Sequence, residues 1–62
     1  PWLINDIYGI HNNLRARITS KDGEIANVRN GDALSDGYTV KSISRSGVTL
    51  GGKGKVDLQW AR

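Results

Sequence analysis

The chain has 62 residues, 37% of them hydrophobic, with a formal net charge of +3, a single proline and no cysteine. A domain of about this length buries only about 60% of the surface that its unfolded chain exposes. One thin core is the limit, so disulfide frameworks and thiolate metal cages are excluded and little room is left for a water-excluding catalytic pocket.

The opening stretch, Trp2 to Ile10, fits a helix through Leu3, Ile7 and Ile10 and equally a strand through Ile4, Tyr8 and Ile10. Gly9 and the β-branched isoleucines favour the strand. His11, Asn12 and Asn13 read as a turn. Beyond them Leu14, Ala16 and Ile18 alternate with Arg15, Arg17 and Thr19, the period of a half-buried strand. The next turn can be chosen by testing registers. A two-residue loop at Asp22 and Gly23 sets Ile18 against Asn27 and mixes apolar with charged residues on one face. A three-residue loop of Lys21, Asp22 and Gly23 pairs Ile18 with Ala26 and Ala16 with Val28. The second is expected, with Gly23 in the left-handed position of a G1 bulge.

Further along, the odd spacing of Val40 and Ile43 requires a bulge if both are to face a core. A loop centred on Lys53 pairs Leu50 with Val56, Val48 with Leu58 and Ser46 with Trp60, again keeping one apolar face. No helix is required anywhere. The pattern predicts an all-β fold, a small antiparallel β-sandwich of about six short strands joined by glycine turns.

Chemically reactive constellations are scarce. Gly47 to Gly54, GVTLGGKG, satisfies most of a phosphate-loop pattern, but Gly54 stands where the magnesium-binding Ser or Thr belongs and a strand follows instead of a helix. The hairpin reading is therefore preferred. His11 is the only histidine and has no Cys or second His to join it. The carboxylates mostly sit at turns, where they cap backbone amides, and no serine has a base within reach of any recognisable pattern. No catalytic residue, metal site or cofactor is expected.

Surface and backbone remain. Arg15, Arg17, Lys21, Arg29, Lys41, Arg45, Lys53, Lys55 and Arg62 are interleaved with acidic residues, which reads as a solvated surface and not as a nucleic-acid footprint. Trp2 and Trp60 serve either as core closers or as contact anchors. Edge strands offer unpaired backbone groups that a partner strand can extend. On that basis the interface candidates lie on the first strand, Leu3 to Ile10, above all Ile7, Tyr8 and Ile10, with Arg15 and Arg17 of the second. The two arginines would meet acidic groups of a partner, or else simply solubilise the sheet.

The series Gly31, Asp32, Leu34, Gly37, Tyr38, Val40, Ile43, Val48 and Leu50, followed by a glycine turn and a last apolar strand, resembles the periplasmic domain of the PilP family of type IV pilus assembly. The variant most similar is that of plasmid-borne conjugative thin pili, and the homology region of the type II secretion protein GspC is related. Upstream, IYGIHNNLRARITSKDGEIANV agrees with the first three strands of that pattern. Gly-Asp turns of this kind also occur in SH3-like domains; the order and spacing of the whole series carry the resemblance. It implies a non-enzymatic periplasmic adaptor, attached to the inner membrane in the full-length protein, that links inner-membrane platform proteins to the N-terminal domains of the outer-membrane secretin. Gly31, Asp32, Leu34, Gly37, Val40, Ile43, Val48 and Leu50 carry over as fold-defining residues. Because the chain starts at Pro1, residues 1–62 are expected to be one β domain, the C-terminal fragment of a longer anchored or secreted protein, with any membrane contact made by segments outside it.

The competing reading is an SH3-like or OB-like domain that binds nucleic acid through a basic surface and Tyr8, Tyr38 or the tryptophans. An enzyme domain would require that these residues complete a site formed with the rest of a longer chain.

Overall fold

Six strands and no helix make up residues 2–60, the residues described by the computed structural model; Pro1, Ala61 and Arg62 lie outside them. β1 (Leu3–Ile10), β2 (Asn13–Thr19) and β3 (Ile25–Arg29) form one antiparallel sheet in sequential order, and β4 (Thr39–Ser44), β5 (Gly47–Gly51) and β6 (Val56–Gln59) form a second. Each sheet is a meander. β4 lies over β2 and β3 while β1 lies over β5 and β6, which makes the two-layer β-sandwich expected from the sequence.

The registers follow from turn chemistry. Ile18 faces Ala26 and Ala16 faces Val28 across β2 and β3. Ser20 closes the loop by donating to the Glu24 carbonyl at 2.8 Å, and the Gly23 amide donates to Ser20 O at 3.0 Å. Gly23 sits at φ +91°, where a side chain would be strained, as the three-residue loop requires. In the second sheet Val48 faces Leu58, Leu50 faces Val56, and Trp60 N donates to Ser46 O at 3.1 Å. The Gly47–Gly54 stretch is accordingly a strand and a hairpin turn leading into β6.

Both opening strands are bulged. In β4 the register shifts between Val40 and Ser42, so that Val40 and Ile43 both face inward opposite Leu50 and Val48. In β1 a shift between Ile4 and Asp6 does the same for Ile4 and Ile7. This corrects the expected face of β1. Without the bulge Ile4, Tyr8 and Ile10 share a side; with it, Ile4 and Ile7 turn inward while Tyr8 and Ile10 turn outward.

The first sheet supplies Ile7, Ala16, Ile18 and Val28 to the core and the second supplies Val40, Val48 and Leu50. Trp2 and Leu34 close it, and Trp60 packs half-buried against it. The tryptophans are thus core closers. Each fully buried Ile, Leu or Val contributes about 1.5–3 kcal/mol relative to exposure. The connection between the sheets also covers half of an edge. Gly31 N donates to Val40 O and Val40 N to Asp32 O, both at 2.8 Å, and Ala33 bridges Thr39. Among the residues of the Gly-Asp series, Leu34, Val40, Val48 and Leu50 are buried, and Ile43 is half-buried against the core. Gly31 and Gly37 take positive φ, and Asp32 Oδ2 accepts the Arg29 amide at 3.1 Å.

Candidate functional site

Directly paired residues of neighbouring strands share a face, so the register fixes what the first sheet shows on the side away from the core. Its outer face is built in rows. Tyr8, Arg15 and Arg29 form one row across β1, β2 and β3, and Asp6, Arg17 and Asn27 form the next. Leu3, Thr19 and Ile25 form a third row at one end, and Ile10 with Asn13 closes the other. Leu3, Ile10 and Ile25 are 72%, 69% and 62% exposed, the first and last at one end of this face and Ile10 at the other.

Hydrogen bonding divides the arginines. Arg17 Nε donates to Asn27 Oδ1 at 3.1 Å, and Tyr8 Oη donates to the same oxygen at 3.4 Å. Arg45, in the turn between β4 and β5, donates from Nη2 to the Gly9 carbonyl at 3.1 Å and so caps part of the free edge of β1. Arg15 and Arg29 stand opposite one another, and neither guanidinium has a hydrogen bond or ion pair among the described residues. Like charges placed directly opposite one another across a sheet destabilise it. Beside them lies a shallow depression of about 310 Å³ lined by Tyr8, Gly9, Ile10, Asn13 and Arg15.

Four of the five interface residues expected from the sequence, Tyr8, Ile10, Arg15 and Arg17, are brought together on this face. Ile7 is not. It is 4% exposed and points into the core, which removes its side chain from any contact surface. The residues that strand-by-strand reading missed are Arg29, Asn27 and Ile25. The pairing of Ala16 with Val28 already implies that Arg15 meets Arg29, so that signal was present in the register.

Elsewhere the polar groups serve the fold. Trp2 Nε1 donates to Asp36 Oδ2 at 2.9 Å, the Tyr38 amide donates to Asp36 Oδ1 at 3.2 Å, and Lys53 Nζ donates to the Asp36 carbonyl at 3.0 Å. Lys53 also lies 5.6 Å from the centre of the Tyr38 ring. Desolvation pushes the Asp36 carboxyl up, but the hydrogen bonds from Trp2 and Tyr38, with the charge of Lys53, outweigh it and hold the group below its ordinary value. This clasp joins the chain start to the connection between sheets and to the last hairpin. His11 is exposed in the turn between β1 and β2 and borders an open cleft of about 280 Å³ with Asn12, Asn13, Leu14, Arg29, Asn30, Ser42 and Ile43. No carboxylate or second histidine lines that cleft, and no group of three or more His, Asp or Glu that could hold a metal ion occurs among the described residues.

Compared with known proteins, the chain matches no family model, no curated protein and no solved structure.

Proposed function

We propose that the chain is a non-enzymatic adaptor module that docks through the outer face of its first sheet, in type IV pilus assembly, between inner-membrane platform proteins and the N-terminal domains of the outer-membrane secretin. The observation that carries the docking reading is the gathering of Arg15, Arg17, Arg29 and Tyr8 with exposed Leu3, Ile10 and Ile25 on one sheet face. Tyr and Arg are the residues enriched at protein interfaces, and Lys is depleted there. The pilus setting, and with it a periplasmic location, rests on the Gly31-to-Leu50 series and its resemblance to the PilP pattern. Face docking is favoured over strand addition at β1 and β4, because Arg45 occupies Gly9 O and residues 31–33 cover the start of β4.

Titrating the isotope-labelled domain with the N-terminal domains of a candidate secretin tests this reading. Amide shifts concentrated on Tyr8, Arg15, Arg17 and Arg29 are expected. Silence at high partner concentration rejects it.

The same three arginines beside a tyrosine also favour a second reading, binding of a single-stranded nucleic acid. Its signature is an affinity for labelled single strands that falls steeply with salt. Absence of binding at low salt removes it.

A further inference from the structure

Within that docking reading, on which this inference rests, we infer that Arg15 and Arg29, flanked by Tyr8, form a two-arginine clamp for a carboxylate on an acidic protein segment laid across the first sheet. Cross-strand neighbours hold their Cβ atoms about 4.5–5.5 Å apart, so one Asp or Glu side chain can reach both guanidiniums. Arg17 and Arg45 are committed to Asn27 and to the Gly9 carbonyl, whereas Arg15 and Arg29 have no internal acceptor among the described residues. The clamp is therefore made of two described arginines that the fold leaves free, placed side by side.

Residue type points the same way. Lys21 lies in the loop between β2 and β3, Lys41 on β4, and Lys53 and Lys55 in the loop between β5 and β6, so none lies on the face that carries the clamp. Guanidinium forks match carboxylates with two parallel hydrogen bonds, which an ammonium cannot do. The acid on this face, Asp6, stands opposite Arg17, one row away from the pair.

A protein segment fits the surroundings better than a nucleic acid does. Leu3, Ile10 and Ile25 offer apolar contacts to flanking side chains of a peptide. Tyr8 is the one aromatic in these rows and its hydroxyl is tied to Asn27, which is a meagre stacking platform, and Asp6 repels a phosphate backbone.

The test titrates the labelled chain with three probes: a short peptide alternating Glu and Val, the same peptide with Gln for Glu, and oligothymidylate. The Glu peptide is expected to shift the Arg15 and Arg29 Nε–H signals, and the Gln peptide is not. R15Q/R29Q should weaken the Glu peptide by about tenfold or more, with an unfolding midpoint unchanged or raised. R15K/R29K keeps the charge but loses the fork, so it should also weaken binding, while K21Q leaves it unchanged. Equal affinity for the Glu and Gln peptides, full affinity in R15Q/R29Q, or tighter capture of oligothymidylate by the same two arginines overturns the clamp. The two readings fail separately. Secretin-domain shifts on this face that survive R15Q/R29Q reject the clamp and leave the adaptor reading standing. Glu-peptide capture with silence toward the secretin domains rejects that partner and leaves the clamp.

Discussion

The two sheets bury comparable inner faces and present contrasting outer ones. Outward from the second sheet stand Ser42, Ser44, Gly47, Thr49, Asp57 and Gln59, small or polar residues, with the Lys41 side chain lying over Gly51; Thr49 Oγ1 donates to Asp57 Oδ1 at 3.0 Å, and the Ser44 and Ser46 hydroxyls lie 3.0 Å apart. Outward from the first stand three arginines, a tyrosine and three exposed aliphatic residues, with two of the arginines uncompensated among the described residues. A six-strand sandwich needs only its inner faces to fold, and the second sheet shows how plain an outer face can be. The clustered arginines, tyrosine and exposed aliphatic residues of the first sheet's outer face have no counterpart there.

The comparison is sharpest where the sheets should behave alike. Ile18 and Leu50 are the largest fully buried side chains of the two sheets. Ile18→Ala and Leu50→Ala should each cost about 2–5 kcal/mol, read from denaturant unfolding, and a large inequality between them would show that one sheet carries the fold. Where the sheets should differ, Arg15→Glu with Arg17→Glu is expected to weaken partner binding by about tenfold or more, with the domain still folded by circular dichroism. Thr49→Glu with Gln59→Glu on the second sheet should leave affinity intact. Equal losses from both pairs would erase the distinction between faces.

The clasp gives a pH-dependent test that is independent of either face. The folded Asp36 carboxyl lies below its ordinary value of 3.8, so it contributes stability that is fully present above that value and is lost as pH falls through the folded pKa. Asp36→Asn should therefore narrow its stability gap from the parent chain as acid unfolding is followed down through that range; a gap independent of pH would mean that the carboxylate charge plays no part. The smallest effect belongs to Arg29→Gln. Removing one member of the like-charged pair should raise stability by no more than about 0.5 kcal/mol, measured by denaturant titration, and a loss instead would mean that the guanidinium supports the fold.

Much of the architecture was legible because its determinants are local. The loop at Lys21 to Gly23 has one register that keeps apolar residues together, and the Val40 and Ile43 spacing demanded the bulge found in β4. The bulge in β1 escaped because Ile4, Tyr8 and Ile10 already form a plausible stripe. Only the pull of the core on Ile7 breaks that pattern. Of the outer face of the first sheet, Tyr8, Ile10, Arg15 and Arg17 were found by reading single strands. Arg29 is far from them in sequence and joins them only across β2 and β3. The clasp of Trp2, Asp36 and Lys53 left no local trace, since its members are brought together by the stacking of the sheets.

By itself the amino-acid sequence determined the strands, the turns and the registers of the β2–β3 and β5–β6 hairpins, because side-chain alternation and glycine geometry act between neighbours a few residues apart. Only the tertiary structure decided which residues β1 turns inward and which of the described arginines are left without a partner. Those outcomes depend on how two separately specified sheets pack, and on contacts between residues that no local pattern links.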